Sequence, residues 1–395
     1  MITIASASLF KFTELNEDHV FEALMSLKSE SVGPDGISLK FLKLCVPSIL
    51  PFLVNIFNQT IASGCFPTSW KISKIIAIPK NNIPKSPLDM RPISLLSSTS
   101  KVLEKLLSDQ IKFHLQSNHL LSNFQSGFRQ SHSTVALLFD VTDFVRSCLD
   151  SGNLAALVLL DFSKAFNSIN FLILERKLKT QFNLSTETIN LILSYLTGRS
   201  QYVLTSEGRS SLLPLLAGVP QGSILGPIIF SLYINDFSKL TLNCRHHMFA
   251  DDIQIYRRIN NSNQLTTDDD INSINEDLNR INHWASVNGL LINSSKSQAV
   301  IFGKNIEYDR FPPMIINSNI IPYVKSVRNL GLIMSNDLKW DDHINLICQR
   351  MYNTLRLLKT KRLGTPRGTR LLLVRSLVLS HLLYCDIIFR IYHCY

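Results

Sequence analysis

Apolar and polar positions along the chain follow helical spacing in some segments and strand-like spacing in others, without a repeat or a long linker. Residues 13–29 carry apolar side chains on one helical face between Val20 and Leu27, and Thr13 is placed to cap this helix. The tetrapeptide GPDG at 33–36 predicts a turn shortly after it. The chain is therefore expected to mix α and β structure.

Two β-prone runs lead into acidic residues. The segment LAALVLLD (154–161) has seven apolar residues before Asp161, which is typical of a fully buried strand. The segment HHMFADDIQIY (246–256) places Asp251 and Asp252 on the connection between two short strands. Carboxylates clustered at one point repel each other unless a cation neutralises them, so these residues predict a site for a hard divalent ion, best matched by Mg²⁺.

A pair of aspartates is weak support by itself, and the segment 266–284 provides a contrasting case. There Asp268, Asp269 and Asp270 precede apolar residues at helical spacing. With Thr267 as the helix cap, these carboxylates would complement the helix dipole in the first turn. We interpret this triplet as structural.

The longest apolar stretch, 371–389, is interrupted by Arg375, His381 and Asp386. A membrane span needs about 20 mostly apolar residues, so this stretch predicts a buried helix and no membrane partner. The opening residues lack the basic segment of a secretory signal. The seven cysteines are odd in number and form no CxxC pair, which indicates a reduced, intracellular protein without structural zinc.

The chain has 395 residues, enough for two or three structural units, and its formal net charge of +10 favours a polyanionic partner. Residues 71–112 hold eight basic and three acidic residues, which predicts a basic, loop-rich lobe. No acidic residue lies between His343 and Cys385. The basic residues of that segment are Arg350, Arg356, Lys359, Lys361, Arg362, Arg367, Arg370 and Arg375. They form either a solvated helical face or a surface that contacts a phosphate backbone.

Six segments together carry a family resemblance. They are RPISLLSSTSKVLEKLL (91–107), LDFSKAFNSIN (160–170), GVPQGSILGPIIFSLYINDF (218–237), FADD (249–252), NGLLINSSKS (288–297) and LGLIMSNDLKWDDHI (330–344). In this order and at this spacing they resemble the reverse transcriptases of non-LTR, LINE-type retrotransposons, and within that group the jockey-like elements.

The resemblance implies an α+β, right-hand polymerase with fingers, a ferredoxin-like palm that carries the acidic residues, and a helical thumb. We expect a helical extension over residues 1–65, fingers and palm over 66–335, and a thumb over 336–395. The implied enzyme is an RNA-directed DNA polymerase, which adds deoxynucleoside triphosphates to the 3′-hydroxyl of a DNA primer on an RNA template. The family acts at chromosomal DNA, so the expected compartment is the nucleus.

The resemblance also assigns the metal chemistry. Asp161 and Asp251 would be the main ligands of two Mg²⁺ ions, with Mn²⁺ as a substitute, and Asp252 would support the site electrostatically. Two such ions lower the pKa of the primer hydroxyl and hold the triphosphate. Lys296 matches a lysine that protonates the leaving pyrophosphate, and the alternative interpretation is an exposed turn lysine.

Further residues match substrate contacts of the family. Lys80 and Arg91 match fingers residues that grip the triphosphate, where an arginine fork suits phosphate oxygens. Phe166 matches a ring that clashes with a 2′-hydroxyl and so selects deoxynucleotides, although a plain core phenylalanine is the alternative. Arg129 matches a fingers arginine, to which we assign a general substrate or template contact.

The segment VPQGS (219–223) is expected to approach the template. Gly218 and Gly222 would allow close approach of the backbone, and Gln221 would meet the template strand and the nascent base pair. Pro227 suits the first position of the helix that follows. The alternative is a purely structural loop.

Two departures from the family pattern bear on activity. Asn167 stands where the family usually has aspartate, which keeps the hydrogen-bonding shape and loses the charge. Complete elements carry an endonuclease domain before the polymerase, and residues 1–70 have no room for one, so we expect a fragment or a decayed copy. The alternative function is therefore an inactive remnant that binds nucleic acid. A splicing cofactor would need a basic extension after the thumb, and Phe166 disfavours an RNA-dependent RNA polymerase.

Overall fold

A computed structural model describes residues 9–80, 83–205, 208–360 and 364–390. The chain forms two compact units. The first unit comprises the residues up to Asn123 together with Lys164–Ser238 and Ser286–Leu290. The second unit comprises Phe124–Ser163, Lys239–Ala285 and the residues from Leu291 onwards.

The described residues form helices and strands that alternate along the chain. The helices are α1 (Glu17–Ser26), α2 (Leu39–Ser63), α3 (Ser98–Ser117), α4 (Thr134–Asp150), α5 (Phe171–Gln181), α6 (Thr186–Leu196), α7 (Gly226–Ile234), α8 (Gln264–Val287), α9 (Asp341–Thr360), α10 (Arg367–Val374), α11 (Ser380–Leu383) and α12 (Asp386–Arg390). The strands are β1 (Ile72–Pro79), β2 (Met90–Leu95), β3 (Leu154–Leu160), β4 (Arg199–Thr205), β5 (Gly208–Arg209), β6 (Leu213–Leu215), β7 (Arg245–Phe249), β8 (Asp252–Ile259), β9 (Gln298–Phe302), β10 (Met314–Ile316), β11 (Asn319–Ile321), β12 (Ser326–Asn329) and β13 (Leu332–Ser335).

The first unit contains a sheet in which β1 pairs antiparallel with β2 and parallel with β4. Strand β4 also pairs with the short strands β5 and β6. Helix α3 supplies much of the core, because Leu103, Leu107 and Ile111 recur at helical spacing and are buried. Tyr195 and Phe230 complete this core as fully buried rings.

The second unit is built around an antiparallel sheet in the order β7-β8-β3-β9. Strand β3 lies in the middle of this sheet, which explains its unbroken apolar sequence and confirms the buried strand predicted before Asp161. One face packs against α4 through Leu138, Val141 and Val145, which are completely buried. The same core includes residues of the hairpin β12–β13, among them Val327.

The cap of helix α1 lies three residues later than the sequence pattern predicts. Asn16, and not Thr13, caps it: the Asn16 side chain accepts a hydrogen bond from the backbone N–H of His19. Leu24 is buried as expected, whereas Phe21 is 41% exposed. The prediction of the helix is confirmed, and the prediction of its start is wrong because a capping side chain is chosen by local geometry that several polar residues offer equally well.

The cap of α8 also differs from the prediction. The helix begins at Gln264, so Thr267 lies inside it, and the Asn263 side chain accepts a hydrogen bond from the backbone N–H of Thr266. The structural role of the acidic triplet is supported by Asp270, whose carboxylate lies 2.8 Å from the Arg257 guanidinium. The triplet therefore contributes an ion pair within the second unit rather than a first-turn charge.

The stretch 371–389 is helical, but the prediction that it is buried is wrong. Leu372 and Leu383 are 66% and 65% exposed, whereas Val378 and Ile388 are buried. Its helices α10, α11 and α12 are interrupted by the π-helical residues Arg375–Leu379 and by a turn at Cys385, which has a positive φ of 59°. A helix that covers one side of a small unit buries a single face, so an apolar composition alone does not establish burial.

The basic segment 71–112 is less rich in loops than predicted, since β1, β2 and most of α3 lie within it. Lys101 is buried, and its ammonium group donates to the hydroxyls of Ser29 and Ser31. Of the basic residues predicted near the C-terminus, Lys361 and Arg362 lie outside the described residues.

In the part of the chain that the structure describes, one helix, α2, is long and apolar enough to cross a membrane by length and composition alone, a property that core helices of soluble proteins share. The six cysteines within the described ranges, from Cys45 to Cys385, are free thiols.

Candidate active site

The two adjacent aspartates lie at the tip of the hairpin formed by β7 and β8. Phe249 pairs with Asp252, so the loop consists of Ala250 and Asp251 alone. Ala250 has a positive φ of 56°, a conformation that is strained for a residue with a side chain. Of the two loop residues only this first one has a positive φ, as in type II′ hairpin turns, which usually place glycine there. The predicted connection between two strands is thus confirmed as a tight turn.

Asp161 meets the hairpin through the pairing of β3 with β8. Leu160 pairs with Ile253 in an antiparallel register, so the next pair along the two strands is Asp161 and Asp252. Residues directly opposite each other on paired strands lie within about 5.5 Å of each other at their Cα atoms. The fold therefore brings together two carboxylates that are 91 positions apart in the sequence.

One oxygen of the Asp161 carboxylate is buried and pairs with a lysine without a hydrogen bond. This oxygen, Oδ2, has no hydrogen-bond partner among the residues that the structure describes. The charged group beside it is the ammonium of Lys296, whose Nζ lies 3.4 Å from Oδ2. The Lys296 side chain is 62% exposed, so it reaches this oxygen from solvent. The sequence predicted both residues for the site, and the structure brings them together.

The backbone around Asp161 is fixed by the segment that follows α8. The Asn293 N–H donates to the carbonyl of Asp161 over 2.8 Å, and the Ser163 N–H donates to the carbonyl of Leu291 over 2.8 Å. The Asp161 N–H donates to the hydroxyl of Ser297 over 3.4 Å. These bonds hold Lys296 next to the carboxylate that it pairs with.

Within the acidic cluster, the carboxyl group of Asp252 has a raised pKa. Desolvation, followed by the neighbouring charges of Asp251 and Asp161, raises the pKa of its carboxyl to about 6. Asp252 is also exposed over part of its surface, so water screens some of this effect. A group that is both crowded by like charges and open to solvent is suited to bind a cation.

A divalent ion fits this donor set, but the protein does not enclose one by itself. Among the described residues, no three His, Cys, Asp or Glu side chains converge closely enough to hold a metal ion. Mg²⁺ is commonly held by one or two carboxylates and completed by water and substrate phosphates. The buried Asp161 oxygen, which lacks a hydrogen bond from the described residues, and the raised pKa of the Asp252 carboxyl are the features that such an ion would relieve.

A cavity of about 440 Å³ opens beside the two carboxylates. Asp161 and Asp252 line it together with Lys296 and Arg328. Its floor includes Gln254, which is 1% exposed and whose Nε2 atom has no hydrogen-bond partner in the described part of the chain. A buried amide donor without a partner is costly in a folded protein, so this atom is an unsatisfied polar group close to the site.

Gln254 also joins strand β8 to the hairpin β12–β13. Its Oε1 atom accepts a hydrogen bond of 2.7 Å from Nδ2 of Asn329, which is buried as well. Sequence reasoning missed this pair. The available signal was a glutamine inside the apolar run IQIY, since a polar residue in a strand that is buried on both faces needs a specific partner.

The hairpin β12–β13 turns over two residues with positive φ, Leu330 at 45° and Gly331 at 95°. The Tyr384 hydroxyl donates to the carbonyl of Leu330 and so fixes this turn from the C-terminal helices. Leu330 lines the same cavity as the carboxylates. This turn is therefore a second strained element beside the site.

Arg129 lies in the second unit, where its guanidinium donates to the carbonyl of Gln125 over 3.2 Å. Burial lowers the pKa of Arg129. The structure thus gives this arginine a contact within the protein, and the predicted substrate or template contact stays a prediction.

In the first unit, the predicted triphosphate-binding residues share one end of a hairpin. Arg91 in β2 pairs with Ile78 in β1, and the Lys80 N–H donates to the carbonyl of Asp89 over 2.8 Å. Both basic side chains are exposed. The structure places Arg91 in β2 and Lys80 directly after β1, the strand that pairs with β2, and their role stays a prediction.

The VPQGS segment approaches other backbone closely at both predicted glycines. A Cβ atom at Gly218 would lie 2.5 Å from the Cα atom of Asn167, and one at Gly222 would lie 3.0 Å from the carbonyl oxygen of Ser94. Gln221 is anchored by its own carbonyl, which accepts from the Ser94 N–H over 2.7 Å. Packing inside the protein therefore favours glycine at both positions, and the predicted approach to the template stays a prediction.

Helix α7 follows directly and begins at Gly226. Pro227 is therefore the second residue of the helix, whereas the prediction made it the first. The start of α7 is bound by Glu104, which is completely buried. The Glu104 carboxylate accepts from the backbone N–H groups of Ile224 and Leu225 and from the hydroxyl of Tyr195. Glu104 was not predicted, because its partners lie about 90 and 120 positions away.

The Phe166 ring stacks on the Phe230 ring with centroids 4.6 Å apart and an angle of 21° between planes. Phe230 is completely buried, whereas Phe166 is half-buried. The backbone carbonyl of Phe166 accepts from the Val219 N–H over 2.9 Å. One face of the Phe166 ring thus packs against the core, and the ring as a whole is only half-buried. This arrangement agrees with both interpretations of Phe166, as a core residue and as a contact of the sugar. Asn167, next in the chain, is exposed.

Fold and site together define the class: an α+β protein whose second unit holds an antiparallel sheet with acidic residues at the ends of its strands, beside an open cavity. Residues 78–334 match the family of reverse transcriptases (RNA-dependent DNA polymerases). The chain belongs to this family. The match confirms the predicted fold class and the predicted class of enzyme at the level of the family.

Curated relatives point to the same group of mobile elements. The chain is 30% identical over 328 residues to a probable RNA-directed DNA polymerase from transposon X-element of Drosophila melanogaster, covering 82% of this chain and 35% of the relative. It is 29% identical over 324 residues to the RNA-directed DNA polymerase from mobile element jockey of the same organism, covering 80% and 34%. The chain thus spans about a third of the length of these relatives. The predicted resemblance to jockey-like elements is confirmed.

Among solved structures, telomerase from Candida tropicalis in complex with a fragment of telomeric RNA is similar, with a TM-score of 0.46 and 14% identity, covering 75% of this chain and 49% of the other. The predicted domain boundaries at residues 65 and 335, the roles of the site residues and the nuclear location stay predictions.

Proposed function

We propose that this chain is the catalytic part of an RNA-directed DNA polymerase, which extends a DNA primer on an RNA template with deoxynucleoside triphosphates and releases pyrophosphate. The observation that carries the proposal is the register of β3 and β8, which sets Asp161 opposite Asp252 at the edge of a cavity. Family membership supplies the reaction type, and the cavity supplies room for the reacting groups.

Asp161, Asp251 and Asp252 would hold two Mg²⁺ ions, for which Mn²⁺ could substitute. When bound, such ions lower the pKa of a hydroxyl nucleophile and neutralise charge on the phosphates. The buried Oδ2 of Asp161, which has no hydrogen bond from the described residues, and the crowded carboxyl of Asp252 support this assignment. Asp251, at the second position of the turn, would complete the set.

Lys296 is suited to pair first with a carboxylate and then with the phosphates of the substrate. In the structure its ammonium lies 3.4 Å from Asp161 and compensates that carboxylate. With substrate present, the same flexible side chain would turn to the phosphates and donate a proton to the leaving pyrophosphate. Its exposed fraction of 62% leaves it free to make this change.

The first unit would bind the nucleotide through the residues predicted from the sequence. Arg91 in β2 and Lys80, just after the paired strand β1, would hold the triphosphate, and Phe166 would limit the space at the 2′ position of the sugar. Gln221 and Gly222 would contact the template and the nascent base pair, held by the backbone bond to Ser94. Arg129 would contribute a template or substrate contact from the second unit.

The partners proposed are an RNA template, a DNA primer and deoxynucleoside triphosphates, without a membrane. The formal net charge of +10 supports a nucleic-acid partner. Relatives named for a transposon and a mobile element support action on chromosomal DNA in the nucleus. Imaging of a tagged chain in cells, with a tagged reporter of equal mass as control, tests the location.

The activity is tested by incorporation of labelled dTTP on poly(rA)/oligo(dT) with Mg²⁺. We expect signal from the wild-type chain and none from the double variant Asp251→Ala, Asp252→Ala. The matched control is Asp268→Ala, Asp269→Ala, which removes another adjacent acidic pair from the second unit and should retain activity.

Equal signal from both double variants would contradict the assignment of the hairpin. Template–primer binding without incorporation in the wild-type chain would instead favour the inactive remnant, for which Asn167 in place of the usual aspartate is the supporting feature.

A further inference from the structure

A short segment before α4 runs beside the hairpin that carries the aspartates. The Met248 N–H donates to the carbonyl of Phe124 over 2.7 Å, and the Ser126 N–H donates to the carbonyl of Met248 over 2.9 Å. Gln125 thereby forms a parallel bridge with Met248 in β7, the edge strand of the sheet. This segment extends the sheet by a few residues and covers its open edge.

From this position the Gln125 side chain reaches around the tip of the hairpin. Its Oε1 atom accepts from the N–H of Ala250 over 3.1 Å, and its Nε2 atom donates to the carbonyl of Ala250 over 3.2 Å. Oε1 also accepts from the N–H of Gly127 over 2.7 Å. Gln125 is 1% exposed, so water cannot replace these bonds.

The residue that Gln125 holds is the strained one. Ala250 has a φ of 56°, which costs about 1–2 kcal/mol for a residue other than glycine. The contact is also close: a Cβ atom at Gly127 would lie 2.2 Å from the nitrogen of Ala250. The backbone of Ala250 thus forms hydrogen bonds with the side-chain amide of Gln125 and packs against Gly127, where any side chain would clash.

We infer that Gln125 is a positioning residue for the reaction, which holds Ala250 in its left-handed conformation so that Asp251 and Asp252 keep the orientation needed to bind metal. The inference rests on the proposed function. Ala250 directly precedes both carboxylates, and in a two-residue loop a change at the first position redirects the second. Without the three hydrogen bonds, the turn would relax toward negative φ and the buried N–H groups would lose their acceptor.

The test is the variant Gln125→Met, which keeps the side-chain volume and removes the three bonds. We expect kcat to fall about tenfold to a hundredfold, and the Mg²⁺ concentration for half-maximal incorporation to rise about tenfold, with KM for dTTP changed far less. The matched control is Thr142→Val, which removes a buried hydrogen bond to the carbonyl of Leu138 in α4, away from the hairpin. It should lower the melting temperature without changing the Mg²⁺ requirement.

A second change tests the strain directly. Glycine adopts positive φ freely, so Ala250→Gly should recover about tenfold of the activity lost in Gln125→Met when the two are combined. If Gln125→Met fails to fold, Gln125→Glu takes its place, since it keeps the acceptor for both N–H groups and loses only the donor to Ala250. We expect Gln125→Glu to raise the Mg²⁺ concentration for half-maximal incorporation by a smaller factor than Gln125→Met does.

Binding of Mn²⁺, followed by electron paramagnetic resonance, measures the effect without turnover. Weaker Mn²⁺ binding in Gln125→Met than in the wild type supports the inference even if the wild-type chain incorporates no dTTP, in which case the proposed function alone fails. An unchanged metal requirement and unchanged Mn²⁺ affinity, with a loss of melting temperature equal to that of Thr142→Val, would overturn it.

Discussion

At the scale of single residues, a carboxylate that is proposed to bind metal also lowers the stability of the metal-free fold. Asp252 is desolvated and lies beside two other carboxylates, which raises its pKa to about 6 from an ordinary value near 4. The folded chain therefore holds a proton on Asp252 more tightly than the unfolded chain. In the absence of metal, the stability linked to this group is present below about pH 4 and is lost as the pH rises through about 6.

This linkage predicts that Asp252→Asn stabilises the fold while it removes activity. At pH 7.5 and with chelator present, the variant should melt at a higher temperature than the wild type, because the amide carries no charge to desolvate or repel. Differential scanning calorimetry measures the shift, and the gap between the two proteins should narrow as the pH falls below about 5.

Asp269→Asn serves as the control, because Asp269 is exposed on α8 and should leave the melting temperature unchanged. A lower melting temperature for Asp252→Asn than for the wild type would show that the carboxylate is stabilising and would contradict the proposed crowding.

Phe166 gives a second prediction at this scale. Its ring is supported from below by the buried Phe230, so replacing it with valine opens space above a surface that stays in place. Phe166→Val should increase incorporation of ribonucleotides relative to deoxynucleotides by about tenfold to a hundredfold. Parallel assays with labelled UTP and dTTP measure this ratio, and an unchanged ratio would assign Phe166 to the core alone.

At the scale of secondary structure elements, buried polar groups set the positions of the functional segments. Glu104 accepts hydrogen bonds from two backbone N–H groups at the start of α7 and from Tyr195, and also from the hydroxyl of Ser100. A carboxylate at a helix N-terminus is favourable both as acceptor and as charge. Glu104 thus fixes the end of the VPQGS segment from within the first unit.

Glu104→Ala should therefore lower the free energy of unfolding by about 3 kcal/mol or more, since four buried donors lose their acceptor. Urea denaturation measures the change. Glu104→Gln keeps an acceptor oxygen in the same volume and should lose less than half as much. Equal losses in the two variants would show that the charge, and not the hydrogen-bond acceptors, is the main contribution.

Much of the second unit could be predicted because its signals are local. Seven apolar residues identify β3, and two short β-prone runs around Asp251 identify the hairpin. The contacts of Gln125, Gln254 and Glu104 could not be predicted in the same way, since each side chain meets a partner 75 to 125 positions away. A single sequence shows that a polar residue lies in an apolar run, but not which backbone group satisfies it.

At the scale of the whole molecule, the excess of positive charge is the feature that a nucleic acid would encounter. Helices α9 and α10 carry Arg350, Arg356 and Arg367 as exposed side chains. Each cation that neutralises a phosphate releases a counterion, so binding weakens as salt rises. A solvated helical face that does not touch nucleic acid would make no such contribution.

Replacing these three arginines by glutamine should reduce the slope of log affinity against log salt by about 0.7–0.9 for each phosphate that is no longer neutralised, up to about 2–3 in total. Fluorescence anisotropy of a labelled RNA/DNA template–primer over a range of salt concentrations measures the slope. The matched control replaces Lys11, Lys179 and Lys304, three exposed lysines outside α9 and α10, and removes the same net charge. A similar slope in both triple variants would mean that total charge governs binding, whereas a reduced slope confined to the arginine variant would identify this helical surface as the one that binds the nucleic-acid backbone.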